Sequence, residues 1–263
     1  MTRIDLTRRR LLRGSAGLLA AGGLSGCNIL DGLSAPDHRL RLFMARANDL
    51  TRAMQRGLLD RDALATEFSR ADIRQPQRPN GVTNPQDDDY LALKSNGFAD
   101  YRLQVTGLVE HPQTLSIADL QAGPVRRQIT RHDCVEGWSC IAEWSGTPLS
   151  HVLDRARVLP GARYAVFHCF DTIERTLTGG IRYYESIDLI DARHPQTILA
   201  WGMNGAPLPV PNGAPLRVRV ERQLGYKMAK YIRAIELVAD LSPFGRGKGG
   251  YWEDRGYEWY AGI

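Results

Sequence analysis

The chain has 263 residues, of which 43% are hydrophobic and 24% charged, so it can bury the core of one large domain or two small ones. Residues 1–26 hold a net charge of +4 out of +5 for the whole chain, which leaves about +1 beyond them and gives no basis for nucleic-acid binding. Beyond residue 27 no stretch has the eighteen or so apolar residues that span a bilayer, so we expect a soluble mature protein unless something anchors it.

The first 27 residues have the pattern of an export signal. The run Arg8-Arg9-Arg10-Leu11-Leu12 precedes an uncharged segment at 14–26 and resembles the twin-arginine type, which carries proteins that fold around a complex cofactor first. Leu24-Ser25-Gly26-Cys27 looks like a lipobox, in which Cys27 is lipidated. The alternatives are plain signal-peptidase cleavage near this point and a basic tail without a targeting role. We expect a periplasmic protein, anchored by lipid through Cys27 or cleaved free.

The next segment predicts helices followed by a loop. Residues 28–45 predict a tether leading into a helix, and apolar residues spaced among charges over 36–69 predict one or two amphipathic helices. Residues 71–90 are rich in Pro, Asn, Asp and Gln and predict a surface loop. We therefore divide the chain into a signal at 1–27, N-terminal helices and a linker at 28–80, and one catalytic domain at 81–263.

Strand patterns dominate from residue 101 onward. They predict strands at 101–106, 125–130, 163–170, 197–201, 216–220 and 231–238. Short helices are predicted at 117–122, 148–156 and 185–189, and the Gly- and aromatic-rich tail at 245–263 predicts an irregular segment packed on the domain. This order predicts a mixed α+β domain in which strands dominate, without a regular βαβ alternation.

Three cysteines follow Cys27, namely Cys134, Cys140 and Cys169. Three is an odd number, so at least one thiol is free or has another task. A buried inert thiol is the default for each of them, and a Cys140–Cys169 disulfide suits an oxidising compartment. A zinc site would recruit His132, Cys134, Cys140 and His168, although at irregular spacing.

The neighbours of Cys134 favour a metal-ligand role for its sulfur. A thiolate that binds a metal must be deprotonated, and Arg131 or His132 would favour that form. Cys134 also follows the end of a predicted strand and precedes a loop that contains Gly137. A high-valent molybdenum that already carries dithiolene sulfurs readily accepts one more thiolate.

This region resembles the cofactor loop of sulfite-oxidase-fold molybdoenzymes. The resemblance lies in Arg131-His-Asp-Cys134-Val-Glu-Gly-Trp-Ser139 and then in Trp144-x-Gly146-x-Pro148-Leu149. It is nearest to the periplasmic methionine-sulfoxide reductase catalytic subunits and their bacterial relatives, and it covers about residues 80–240. It implies a molybdenum–molybdopterin cofactor, with Cys134 as the catalytic thiolate ligand to the metal.

The same resemblance implies a cradle for the pterin and its phosphate. Asn212-Gly-Ala-Pro-Leu-Arg217 and Gly225-Tyr226-Lys227 are similar to the family's pterin-binding segment, and Lys230 follows closely. An amide, a guanidinium, ammonium groups and a close backbone at glycine suit an anion. Asn80 resembles the residue that reaches the cofactor from the N-terminal side, and Cys169 stands where the family has a cofactor-contacting threonine. Without the resemblance, two surface turns with solvated basic residues are the alternative.

Two further side chains are predicted at the reaction centre. Tyr183-x-x-Ser186-Ile187 resembles a Tyr-x-x-Ser-Ile stretch of sulfite oxidases, which implies that Tyr183 donates a proton or hydrogen bond to a metal oxygen. The alternative for Tyr183 is an aromatic residue at a strand edge in the core. Asp171 follows the strand that holds Cys169 and is a candidate catalytic side chain in the polar wall of the pocket.

Departures from the sulfite oxidases shape the functional prediction. Their ligand cysteine is followed by arginines that help to bind an oxyanion, whereas Glu136, Gly137 and Trp138 stand here, so sulfite is disfavoured. No C-x-x-C-H haem motif is present, so electrons are exchanged with a separate partner, a membrane cytochrome b or a soluble periplasmic carrier. No counterpart of the C-terminal dimerisation domain precedes the end at Ile263, and we expect a monomer.

The sequence therefore predicts an exported molybdenum–molybdopterin oxidoreductase. It would transfer an oxygen atom to or from a small molecule or side chain, in the direction of reduction. A periplasmic binding or scaffold lipoprotein of the same fold without metal is the alternative, and the cysteine at position 169 is the feature that favours it.

Overall fold

The computed structural model describes residues 39–58, 60–177 and 179–263. Contacts divide the chain into two compact units, Met1–Thr51 and Arg52–Ile263. The predicted signal at 1–27, with Cys27, lies outside the described residues. Within the described ranges, no helix combines the length and the apolar character that crossing a membrane requires.

The segment predicted as one or two helices forms a single helix, α1 (Arg39–Leu58). Near its end, Arg56 donates to Asp191 at 2.9 Å and to Asp188 at 3.0 Å. The predicted surface loop at 71–90 is confirmed for residues 73–87, which follow a 3-10 helix (Arg70–Asp72) and precede a second α-helix, α2 (Asp88–Ser95). The last three residues of that predicted loop are therefore helical.

Two five-stranded sheets make up the domain. The first contains β1 (Leu103–Gly107), β2 (Gln113–Leu115), β5 (Tyr164–Thr176), β6 (Gly179–Asp188) and β10 (Ile232–Val238), in the order β2-β1-β10-β5-β6. The second contains β3 (Arg126–Asp133), β4 (Ser139–Pro148), β7 (Ile198–Met203) and β8 (Ala206–Pro207), with β9 (Arg217–Arg219) paired to β7. Only the β1–β10 pair is parallel among the described strands. The predicted strand-dominated α+β fold is confirmed.

Short helices connect the strands, and local sequence explains where they begin. These are α3 (Ile117–Gln121), α4 (Leu149–Ala156) and α5 (Leu189–Ala192). Ser116 caps α3, since its hydroxyl accepts from the Asp119 amide at 3.1 Å while Asp119 accepts from the Ser116 amide at 2.9 Å. Helix α4 buries Leu149, Val152, Leu153 and Ala156, which share one face at helical spacing.

The helix predicted at 185–189 is wrong. Residues up to Asp188 belong to β6, and the helix α5 begins only at Leu189. Asp188 caps α5 by accepting from the Asp191 amide at 2.8 Å. Glu185 and Ser186 are buried in the sheet, so their polar side chains lie inside a strand and not on a helix.

The main core lies on the first sheet and includes the tail. Leu103, Phe167 and Ile235 from three neighbouring strands are fully buried in it. Tyr251 of the C-terminal tail belongs to the same cluster at 4% exposure, which confirms that the tail packs on the domain. Three 3-10 helices, Val210–Asn212, Gly225–Lys227 and Glu253–Arg255, shape the loops near the site.

Candidate active site

One cavity of about 420 Å³ collects most of the predicted site residues. Its wall comes from the loop before α2, the loop after β3, the strands β5 and β6, the loop before β10, and the C-terminal tail. Of the eleven site residues predicted from sequence, seven line it: Asn80, Cys134, Asp171, Tyr183, Gly225, Tyr226 and Lys230. Cys169, Asn212, Arg217 and Lys227 do not line it.

Cys134 begins a tight turn directly after β3. Its amide donates to the Trp138 carbonyl at 2.9 Å, and the Gly137 amide donates to the Cys134 carbonyl at 3.0 Å. Gly137 has a φ of 83°, a conformation that glycine adopts without strain. The turn holds a free, half-buried thiol at the cavity wall.

The groups around the Cys134 thiol shift its pKa in opposite directions. Burial raises the pKa of the Cys134 thiol, and the Glu136 carboxylate adds to this effect. The backbone N–H groups of Glu136 and Val135 and the charge of Arg78 act in the other direction and lower the pKa. The backbone of the turn therefore provides donors for a thiolate.

The expectation that Arg131 or His132 would favour the thiolate is wrong. The Arg131 guanidinium is paired with Asp133 at 2.8 Å. Burial, with Arg219 nearby, holds the pKa of His132 well below its ordinary value, so the ring is neutral. Neither side chain supplies the charge that the prediction required.

His132 instead presents an unpaired donor. Its Nδ1 lies 3.1 Å from the Arg219 guanidinium, which can only donate, so the proton of the neutral ring is on Nε2. Arg219 is itself neutralised by a two-point contact with Glu221, at 2.9 and 2.7 Å. His132 Nε2 is buried and has no partner among the described residues.

Gly225 allows the loop before β10 to approach this imidazole. A Cβ atom at position 225 would lie 2.3 Å from His132 Cε1 and 2.4 Å from His132 Nε2. No real Cβ contact is that short, so only glycine fits at this position. The loop that lines the cavity therefore packs directly on the edge of the ring that carries the proton.

Two buried cations, Arg217 and Lys230, lie near the cavity. Arg217 is 2% exposed, donates to the Asn212 carbonyl at 2.9 Å and lies over the Trp144 ring at 5.0 Å. Lys230 Nζ donates to the carbonyls of Asn80 and Val82 at 2.5 Å and to that of Pro211 at 3.0 Å. Within the part of the chain that the structure describes, neither cation forms an ion pair.

Electrostatics make this pair receptive to an anion. Burial lowers the pKa of Arg217 to about 9, so the guanidinium stays charged at neutral pH. Burial and the neighbouring Arg217 lower the pKa of Lys230 to about 7. An anion placed beside them would offset both effects, because it favours the charged form of each group.

Asp171 supplies a buried carboxyl to the cavity. It is 3% exposed, and its Oδ1 has no partner among the described residues. Burial raises the pKa of Asp171 to about 7, against the opposing effect of Lys230. A carboxyl with such a pKa exchanges a proton near neutral pH, as a general acid must.

Tyr183 lines the cavity, but its hydroxyl already donates a hydrogen bond. The hydroxyl donates to the Tyr226 carbonyl at 2.5 Å, and burial raises the pKa of Tyr183 well above its ordinary value. Donation to a metal oxygen, as predicted, would require this hydrogen bond to break. In the structure Tyr183 instead fixes the loop that follows Gly225.

Lys227 does not offer its ammonium to the cavity, in contrast to the prediction. The Nζ atom is fully buried and lies 2.5 Å from both Glu185 and Glu253. Two carboxyl groups pair with the ammonium that would otherwise bind a phosphate. The segment contributes to the cavity wall through Gly225 and Tyr226, not through this side chain.

The other cysteines are free thiols, and neither lines this cavity. Cys169 is buried and borders a separate cavity of about 240 Å³, and burial raises its pKa well above the ordinary value. Cys140 and Cys169 are both unbonded, so the alternative of a disulfide between them is not supported. In the described ranges no three His, Cys, Asp or Glu side chains form a group that could hold a metal ion, so the zinc alternative finds no support either.

The aromatic part of the cavity wall was not predicted from the sequence. Trp252 and Tyr257 of the tail line the cavity, with ring centroids 5.3 Å apart and an interplanar angle of 29°. Tyr257 also meets Tyr226 edge to face at 5.2 Å. The aromatic content of the tail was the available signal, and it was interpreted as packing alone.

Comparisons with known proteins identify the family of the chain. A family model described as "Oxidoreductase molybdopterin binding domain" matches residues 90–243. The chain is 36% identical to a putative protein-methionine-sulfoxide reductase subunit YedZ1 of Azospira oryzae, over 97% of this chain and 87% of that protein. It is 32% identical to the protein-methionine-sulfoxide reductase catalytic subunits MsrP of Xanthomonas axonopodis pv. citri, over 89% of this chain and 70% of that protein, and of Burkholderia mallei, over 90% and 70%. The chain therefore belongs to the molybdopterin-binding oxidoreductase family of the sulfite-oxidase type, as its sequence motifs predicted, and it is a molybdopterin-dependent oxidoreductase.

Proposed function

We propose that the protein is an exported molybdenum enzyme that reduces methionine sulfoxide side chains with electrons from a separate carrier. The observation that carries this proposal is the composition of the cavity wall. Among the described residues, the charged side chains that line it are Glu136, Asp171 and Lys230, and none is an arginine. An oxyanion such as sulfite would require cationic donors there, whereas a sulfoxide is neutral. The wall therefore suits a sulfoxide better.

The residues present fit a molybdenum–molybdopterin group. Arg217 and Lys230 are buried cations that form no ion pair among the described residues, which favours an anionic phosphate nearby. His132 Nε2 is an unpaired buried donor beside Gly225, whose loop lines the cavity. Cys134 offers a soft sulfur ligand at the cavity wall, with backbone donors around it. Cys134 and Lys230 line the cavity and would hold the group. Arg217 and His132 do not line it and would act through the loop before β10, which does.

The overall reaction consumes a sulfoxide, two electrons and two protons, and it yields a thioether and water. When bound, the group supplies two-electron redox chemistry at a thiolate-ligated metal. Asp171 holds a proton near neutral pH on a carboxyl whose Oδ1 is unpaired, and it would donate that proton to the departing oxygen. The second proton comes from solvent by way of the same carboxyl. The sulfur–oxygen bond breaks, and the oxygen leaves as water.

The apolar part of the wall would bind the methyl thioether end of the side chain. Met228 is buried there, and Trp252 and Tyr257 also line the cavity. A sulfur atom packs favourably against aromatic rings, by about 0.3–1.5 kcal/mol for each contact. Such a wall would also limit water around the reacting sulfur.

The electron carrier would be a membrane cytochrome b or a soluble periplasmic protein. The similar proteins are described as a subunit and as catalytic subunits, which supports a partner for this chain. The run from Arg8 to Leu12 supports export to the periplasm, and Cys27 supports a lipid anchor. Replacing Arg8 and Arg9 by lysine should retain the protein in the cytoplasm, and Cys27→Ser should release it from membranes. Unchanged distribution of the two variants would contradict export and anchoring respectively.

The activity is tested on protein purified from a host that makes molybdopterin. Stoichiometric molybdenum is expected, together with oxidation of a reduced dye in the presence of a methionine-sulfoxide peptide and little sulfite-dependent dye reduction. Cys134→Ser should abolish turnover, whereas Cys140→Ser, a matched half-buried thiol outside the cavity, should leave it unchanged. Substoichiometric molybdenum in active protein, or sulfite as the better substrate, would overturn the proposal.

A further inference from the structure

Asp87 occupies a helix N-cap but does not cap the helix. Aspartate at this position usually accepts a hydrogen bond from an amide of the first helical turn. The Asp87 side chain makes no such bond with α2. Instead its Oδ2 accepts from the backbone N–H of Thr172 at 3.0 Å, and its Oδ1 accepts from the Thr172 hydroxyl. The carboxylate is thus directed to strand β5, 85 positions further along the chain.

Thr172 ends an irregularity in the pairing of β5 with β6. His168 pairs with Tyr184, and the next pair joins Thr172 to Arg182, so three residues of β5 face one residue of β6. Such a bulge changes the direction in which side chains project and is often found beside active sites. Asp171 is the last of the three residues in the bulge, and its side chain lines the cavity.

We propose that Asp87 is a positioning residue for Asp171. By accepting from both donors of Thr172, it fixes the end of the bulge that directs the Asp171 carboxyl into the cavity. Asp87 does not itself line the cavity, and its hydrogen bonds reach Asp171 through Thr172. This inference rests on the proposed function, in which Asp171 delivers the proton.

The charge of Asp87 also reaches Asp171. After burial, the groups that act on the Asp171 carboxyl are Lys230 and Arg182, which lower its pKa, and Asp87, which raises it. The other titratable groups that interact with it are Tyr90, Cys169, Tyr183 and Tyr231. Removal of the Asp87 charge should therefore shift the titration of Asp171 to lower pH, in addition to loosening the bulge.

The test compares Asp87→Asn with Asp89→Asn in the holoenzyme. Asp89 lies in the same turn and pairs with Arg182 at 2.8 Å, and the same guanidinium lies 3.8 Å from Asp87. The Asp89 variant therefore removes an equal charge beside the same Arg182 without touching Thr172. Asp87→Asn keeps one acceptor and should lower kcat by about tenfold to a hundredfold with an unchanged KM. The pH above which kcat declines should also move downward. Asp89→Asn should match the wild type in kcat.

Thr172→Val perturbs the contact between Asp87 and Thr172 from the side of Thr172. It removes the hydroxyl donor, keeps the amide, and should lower kcat by less than Asp87→Asn does. The double variant should lose no more than Asp87→Asn alone, because both changes act through one contact. A fully additive loss would overturn the proposal. If Asp87→Asn fails to fold, the Thr172→Val variant carries the test by itself.

Hydrogen exchange gives a readout that does not depend on turnover. Peptides covering residues 169–173 should exchange faster in Asp87→Asn and at the wild-type rate in Asp89→Asn, at equal molybdenum content. Equal kcat and equal exchange in the two variants would overturn the inference, as would a lower kcat with an unmoved pH midpoint. If Asp171→Asn leaves kcat unchanged, the proposed proton donor fails, while the exchange experiment still tests the positioning role.

Discussion

Lys227 and Glu253 meet in the interior with Nζ and Oε1 2.5 Å apart, although 26 positions separate them in the sequence. Glu185 Oε1 lies at the same distance from the ammonium on another side. Burial and the adjacent Glu253 raise the pKa of Glu185, against the opposing effect of the Lys227 ammonium. The cluster joins the loop that begins at Gly225 to the tail that carries Trp252, and both segments line the cavity.

We expect Lys227→Met to destabilise the fold far more than Glu253→Gln. Removing the ammonium leaves two carboxyls buried without a cation, and the loss of one partner from a buried pair costs about 3–5 kcal/mol. Glu253→Gln keeps Glu185 opposite the ammonium and removes the neighbouring charge that raises the pKa of Glu185. The free energy of unfolding in urea measures both changes, and equal losses would contradict this account of the cluster.

Arg217 and Arg219 should respond oppositely to replacement by methionine. Arg219→Met leaves Glu221 buried without its partner and should destabilise the protein by about 3–5 kcal/mol. Arg217 has no carboxylate partner, so Arg217→Met removes a poorly solvated charge and should leave stability without cofactor unchanged or higher. The same Arg217 variant should lose bound pterin. Melting temperatures and pterin content, measured side by side, check the contrast, and retention of full pterin content would contradict an anion role for Arg217.

Much of the fold was predictable because its signals are local. The alternation that predicted a strand at 125–130 reflects the pairing of β3 with β4, and the helix predicted at 148–156 is α4 with its apolar face buried. The cavity could be predicted in part because Cys134 and Gly225 stand in motifs that a resemblance identifies. Seven predicted residues meet in it for that reason.

The incorrect predictions concern side chains whose partners are distant in sequence. Lys227 was interpreted as a phosphate ligand because nothing near it indicates that Glu185 and Glu253 enclose it. Glu185 to Asp188, predicted as part of a helix, instead form the end of β6. His132 was considered as a charge or a zinc ligand and not as a neutral donor, since its tautomer depends on Arg219, 87 positions away.

Gly225→Ala should prevent the loop before β10 from packing on His132. The added Cβ would lie 2.3 Å from His132 Cε1, so either the loop or the ring must move. We expect a large loss of bound molybdenum and pterin with the fold largely retained. Gly161→Ala is the control, because its Cβ would meet only Leu108 Cδ1, at 4.0 Å. Metal analysis and far-ultraviolet circular dichroism of both variants decide the question, and normal molybdenum content in Gly225→Ala would contradict the packing argument.

Asp171→Asn should remove the proton donor and its pH dependence together. The wild-type kcat should fall as the pH rises through about 7, because the carboxyl loses the proton that it must donate. The amide cannot donate an acidic proton, so kcat should fall by about a hundredfold or more and become flat over this range. Stability gives an independent check. Because the folded pKa lies above the ordinary value of 3.8, wild-type stability should decrease between about pH 4 and pH 7. The asparagine variant should lack this contribution, and an unchanged slope would contradict the raised pKa.

Trp252→Ala should weaken recognition of the methyl sulfoxide group more than it slows the chemistry. The Trp252 ring lines the cavity and stacks with Tyr257, so its loss removes one aromatic contact to the substrate sulfur. A contact of about 1 kcal/mol corresponds to a roughly fivefold increase in KM for a methionine-sulfoxide peptide, with kcat little changed.

Tyr257→Phe keeps the second ring and removes only its hydroxyl, so it should leave KM nearly unchanged. Steady-state kinetics with a reduced dye and the same peptide compare the two variants at equal molybdenum content. If Trp252→Ala lowers kcat and leaves KM unchanged, the tail does not bind substrate. Its aromatic residues would then stabilise the loop at Gly225 instead, through the contact between Tyr257 and Tyr226.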